Sequence, residues 1–124
     1  MPMHRFAALL VAPLALVVAA CSGGGGGSPA DAGKAFFASS ACPACHTLTG
    51  VPNAVGPLGP NLDGIATTAG TRKPGMSAEA YIRESIQNPE AFISPGFTAP
   101  SSMPAGQATG KDLDNLVAYL LTQK

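Results

Sequence analysis

CPACH, Cys42 to His46, sets two thiols and an imidazole within five residues. The chemistry that needs this cluster decides how the rest of the chain folds. A zinc site would need further ligands, but the other histidine, His4, and the third cysteine, Cys21, lie in an N-terminal stretch of different character. A redox dithiol of thioredoxin type would call for strand, helix and strand around the motif, and no run shows sustained strand alternation. A structural disulfide is permissible in an exported chain, yet it leaves His46 without a task.

Working outward from the motif, Ser28-Pro29-Ala30-Asp31 offers a capping hydroxyl, a proline at the first helical position and a carboxylate near the positive end of the dipole. These signals predict a helix to about Ser40 that carries Phe36 and Phe37, so the thiols sit where a helix gives way to a turn. From Thr47 to Gly75 the chain is rich in Gly, Pro, Thr and Asn, with only Asn61 to Ala66 reading as a short helix. Ser77 caps a helix from Ala78 to about Asn88, with Ala80, Tyr81, Ile82, Ser85 and Ile86 available for an inner face and Pro89 ending it. Glu90 to Thr109 is a proline-dense loop. Thr109 and Asp112 form the T-x-x-D start of a last helix, in which Leu113, Leu116, Val117, Leu120 and Leu121 recur at helical spacing. The fold class is therefore all-α: three main helices joined by long loops. Ordered loops of this length are uncommon in a compact domain unless they pack around something, and a large apolar cofactor would complete the core.

The front end is different. His4 and Arg5 precede fifteen apolar residues, Phe6 to Ala20, interrupted by Pro13 and ending at Cys21. That is short of the roughly 20 residues of a membrane-spanning helix and fits a secretory signal. VAAC, Val18 to Cys21, resembles the lipobox of bacterial lipoproteins, which implies residues 1–20 as a cleaved signal peptide and Cys21 as the lipidated first residue of the mature chain. Ser22 to Ser28, SGGGGGS, reads as a flexible tether, so residues 21–28 make an anchor and linker and residues 29–124 one domain. After Cys21 there are six basic and seven acidic residues. No basic face points to nucleic acid.

C-x-x-C-H is also the pattern by which haem is attached to protein. Two thiols in a tight turn can reach the two vinyl groups of the porphyrin, and the following histidine lies under the iron as its proximal ligand. In this reading Cys42 and Cys45 form thioethers, His46 binds iron, and one haem c is held covalently. The second axial position falls to methionine, because His46 is the only histidine left after signal cleavage. Two methionines remain, Met76 in the PGMS turn and Met103 in the proline-braced SSMPAG loop. Met103 is the favoured ligand; Met76 suits a hydrophobic staple before the Ser77 cap. A thioether favours the ferrous state and raises the reduction potential, which suits an electron carrier rather than an enzyme.

From Gly33 to Tyr119 the chain resembles class I monohaem cytochromes c. GKAFF and LVAYL are similar to that family's terminal helix pair, which implies contact of Gly33 and Phe37 with Leu116 and Tyr119. GPNLDG, Gly59 to Gly64, resembles the segment whose proline carbonyl accepts from the proximal imidazole, here Pro60 to His46. YIRESIQNPEAFISPGF followed by SSMP is similar to cytochrome c domains associated with haem-copper oxidases, which implies a terminal oxidase as partner, with a bc1-type complex as another. TTAGTRKPG, Thr67 to Gly75, has no counterpart to carry over. Its Arg72 and Lys73 suit a haem propionate, a partner's acidic patch or a solvated basic loop. The chain lacks the lysine-rich rim of mitochondrial cytochrome c, which argues against strong charge steering.

Together these features predict a monomeric, lipid-anchored c-type cytochrome on the periplasmic side of a bacterial membrane, carrying single electrons in a respiratory chain. The alternative is a haem enzyme or gas sensor in which Met103 is displaceable.

Overall fold

The computed structural model describes residues 26–124. The predicted signal segment 1–20 and the lipidation candidate Cys21 lie outside the described residues. The first helix, α1 (Pro29–Ser39), opens with a reciprocal cap: the Ser28 hydroxyl accepts the Asp31 amide at 3.2 Å while the Asp31 carboxylate accepts the Ser28 amide at 2.9 Å. The Ser28 hydroxyl also donates to the Asp31 carboxylate at 2.8 Å, and with the Ser28 amide this holds Asp31 below its ordinary pKa. The cap fixes where α1 starts, and so where its C-terminal end delivers the motif.

CPAC itself forms a single helical turn, α2 (Cys42–Cys45), followed by α3 (Ile65–Arg72), α4 (Ala78–Gln87) and α5 (Gly110–Leu120). The all-helical class stands: the only β pairing among the described residues is an isolated bridge between Thr47 and Val55. The core forms where α1 crosses α5. Phe37, Leu116 and Val117 are almost wholly buried there, and the Phe37 and Tyr119 rings meet at 6.2 Å with a 59° tilt. Gly33 makes the crossing possible, since a Cβ built on it would fall 1.9 Å from the Asn115 carbonyl oxygen and 2.8 Å from Tyr119 Cβ.

The third helix departs from the sequence reading. It begins at Ile65 and runs to Arg72, instead of spanning Asn61 to Ala66. Asn61 cannot start it, because its side chain accepts the Asp63 amide at 2.8 Å in a local turn. Gly64 is left-handed, with φ of 71°. Beyond Ile65 the poor helix formers Thr68 and Thr71 turn their hydroxyls back onto the carbonyls of Gly64 and Thr68. The stretch Thr67–Gly75 is thus largely helix, not an inserted loop.

Two smaller differences concern caps and faces. Thr109 precedes α5 as expected but makes no side-chain cap bond; Gly110, the first helical residue, has φ of 54° and turns the entry away from ordinary capping geometry. On α4, Tyr81, Ile82 and Ile86 are buried, whereas Ala80 faces solvent. That helix is tied to its neighbours by two ion pairs made from adjacent residues near its middle. Arg83 meets Asp114 of α5 at 2.7 Å, and Lys73 beyond α3 meets Glu84 at 2.5 Å.

Candidate functional site

Between the motif turn and the 90–107 loop lies a cavity of about 640 Å³. Its volume falls within the range of small-molecule and cofactor pockets. Cys42, Cys45 and His46 line it, as do Tyr81, Ile82 and Ile86 of α4 and Met103 of the loop. Met76 is packed against the core and is not part of the lining.

The motif reaches this position because α1 stops sharply. The Ser40 amide donates to the Phe36 and Phe37 carbonyls, closing the last turn of α1. The Ser40 hydroxyl lies 3.1 Å from Cys42 Sγ and accepts the Cys42 amide at 3.3 Å. The turn of α2 then brings both thiols to the cavity, neither in a disulfide. Burial pushes the Cys42 thiol above its ordinary pKa, against a smaller opposing effect of the Ser40 hydroxyl. The half-buried thiol thus favours its neutral form.

The imidazole is fixed from two sides. His46 Nδ1 lies 2.8 Å from the Pro60 carbonyl oxygen, which assigns Nδ1 as the donor and leaves Nε2 as the nitrogen able to bind a metal. Gly59 abuts the ring: a Cβ there would fall 2.6 Å from Cε1 and 2.8 Å from Nδ1. Gly56 performs the same service one turn earlier, since its Cβ would fall 2.3 Å from the Ala44 carbonyl oxygen. The segment GPLGP thus wraps the back of the motif with no side chain in the way. A clamp holds its far end, where the Asp63 carboxylate accepts the Thr49 amide at 2.8 Å and the Thr49 hydroxyl at 2.9 Å. Those bonds keep Asp63 below its ordinary pKa.

The sequence residues Cys42, Cys45, His46, Pro60 and Met103 are brought together around this one cavity. Two contributors escape the sequence reading: Gly56 and Ser40 carry no motif signal. Arg72, a candidate for a haem propionate, reads from sequence more readily as part of a solvated basic loop. Arg72 ends α3 and lines the cavity, the one Lys or Arg among the described residues to do so, while Lys73 is committed to Glu84.

The residues present suit a haem. Two thiols two residues apart, an imidazole whose second nitrogen is bonded to a carbonyl, a thioether in the same lining and a largely apolar wall are the donors and surroundings that such a group requires. Among the described residues no group of three His, Cys, Asp or Glu side chains is placed to hold a bare metal ion.

The cytochrome c family model matches residues 30–124, and the chain belongs to the cytochrome c family. Among solved structures, the chain is similar to the c-type cytochrome SorU from Sinorhizobium meliloti, with 24% identity and a TM-score of 0.50 over 77% of this chain and 90% of that one. It is also similar to SoxXA from P. pantotrophus, with 25% identity and a TM-score of 0.51 over 82% of this chain and 85% of that one. No curated protein matches the chain. Family membership makes this a c-type cytochrome with covalently bound haem c, the work of the family being electron transfer with redox protein partners. Such proteins are generally extracytoplasmic, and among the described residues no helix is long and apolar enough to cross a membrane.

Proposed function

We propose that the protein is a lipid-anchored carrier of single electrons on the periplasmic side of a bacterial membrane, without catalytic activity of its own, passing electrons to a terminal oxidase. The observation that carries the electron-carrier reading is the placement of His46 and Met103 around one cavity with both thiols. Haem supplies an iron that gains and loses one electron. Cys42 and Cys45 would hold it covalently, His46 Nε2 and the Met103 thioether would bind its iron, and Arg72 would offer a guanidinium to its carboxylates.

The remaining residues tune and protect. The Pro60 carbonyl makes the imidazole a stronger donor, and the Met103 thioether favours the reduced state. With His46 and Met103 both bound to the iron, small oxidants would have no place to bind. The anchor at Cys21 and the tether behind it would raise the local concentration of membrane-bound partners. The likeness of Tyr81–Phe97 to oxidase-associated cytochrome domains supports the choice of partner.

Mass spectrometry of the protein from its native membrane tests the reading. The expected mass is that of a chain beginning at Cys21, acylated and carrying one haem that acid-acetone does not extract. An extractable haem defeats the site assignment; an unmodified N-terminus defeats the anchor alone. Oxygen consumption by membranes stripped of this protein, restored on adding it back, checks the oxidase; unaltered respiration refutes it.

A further inference from the structure

We propose that Glu90 is a positioning residue for Met103: its carboxylate, just beyond the end of α4, holds the loop that presents the thioether. The inference rests on the reading of Met103 as an axial ligand.

Met103 belongs to the segment between α4 and α5, which has no helix or strand of its own. Pro95 to Pro100 are exposed, so packing alone does not fix this stretch. Prolines at 95, 100 and 104 remove three amide donors that would otherwise anchor it. The amides left on either side of Met103 are used as ties. On the near side, Glu90 Oε1 accepts the Ser101 amide at 2.5 Å, and the Ser101 hydroxyl accepts the Met103 amide at 3.2 Å. On the far side, the Gly106 amide donates to the Ile86 carbonyl of α4 at 3.2 Å.

Met103 is therefore hung from the end of α4 by a two-step relay and an exit tie. The first link is the charged one. An ionised acceptor makes a bond roughly twice as strong as a neutral one, and among the described residues Glu90 takes part in no ion pair. Its carboxylate is spent on the loop backbone. Pro89 is buried directly before it, which fixes the base from which the carboxylate reaches.

The prediction is that Glu90 sets how firmly the thioether resists replacement. Imidazole is the probe, titrated into the ferric holoprotein while the weak near-red band of methionine-bound iron is followed. Loss of one charge-assisted hydrogen bond corresponds to about ten-fold in the displacement equilibrium. E90A should therefore bind imidazole about ten-fold more tightly than wild type, and E90Q, which keeps a neutral acceptor, about three-fold. S101A should act like E90A, and the double variant should add little, because the two links act in series.

A carboxylate that serves only general stability would lower the denaturation midpoint and leave imidazole affinity within two-fold of wild type. That result in both E90A and E90Q overturns the inference while Met103 stands. A wild-type protein with no methionine band refutes the ligand reading, and this proposal with it. If E90A does not mature, E90Q and S101A decide the question alone.

Discussion

Gly59 lies against His46 so closely that a methyl group on it would fall 2.6 Å from the ring carbon Cε1, while the next residue, Pro60, takes the ring's Nδ1 at 2.8 Å. Adjacent residues thus set both the position and the tautomer of the imidazole, one by lacking a side chain and the other by its carbonyl. G59A cannot relieve the overlap without moving the ring or the loop. Overpacking of this kind costs about 1 to 3 kcal/mol, and a ring pushed off Pro60 becomes a weaker donor to iron. The expected result is a less stable holoprotein with a raised midpoint potential, read by denaturant unfolding and spectroelectrochemistry. An unchanged potential would mean that the carbonyl bond does not tune the site.

A second glycine tests the scaffold apart from the site. Gly33 faces the backbone of Asn115, and backbone cannot swing aside as a side-chain tip can. G33A should separate α1 from α5 and loosen the Phe37–Tyr119 contact, costing about 3 kcal/mol or more in urea unfolding. The midpoint potential of the surviving folded fraction should change little, since Gly33 is not among the residues lining the cavity.

The two methionines make opposite predictions. Met103 lines the cavity and Met76 packs on the core before Ser77. M103A should bind carbon monoxide rapidly and stoichiometrically when reduced, with a lowered midpoint potential. M76A should leave the spectrum intact and cost about 2 kcal/mol or less, the lower end for a half-buried methionine. Rapid carbon monoxide binding by the wild type would favour the alternative of an enzyme or sensor.

What was legible in the sequence follows from how local each signal is. CPACH names its chemistry in five adjacent letters, and the Ser28 cap and the α5 apolar stripe depend only on residues within a few turns. Met103 emerged by elimination among few candidates. The role of Gly56 was not legible, because a glycine in a loop looks the same whether it faces solvent or the Ala44 carbonyl. Helix α3 was hidden for a related reason: its threonines read as loop formers, and only the fold shows their hydroxyls bonded back to the helix. Arg72 reads more readily as a solvated loop residue, and only the helix that ends at it places it in the cavity lining.

The clamp between Thr49 and Asp63 gives the site a pH dependence whose sign is fixed. The two Thr49 hydrogen bonds stabilise the ionised carboxylate, so Asp63 has a lower pKa folded than unfolded. Between the folded value and the unfolded value of about 3.9 the unfolded chain binds more protons, and stability rises with pH. The contribution is complete above about pH 4 to 5 and is lost as pH falls through the folded value. Because the clamp closes the loop that carries Gly56, Gly59 and Pro60 to the motif, its loss should loosen His46 as well as the fold. D63N removes the titration. Urea unfolding of the two holoproteins should show wild type the more stable at pH 6 and the difference shrinking toward pH 3. A constant difference across that range would show that the Asp63 carboxylate is not the group responsible.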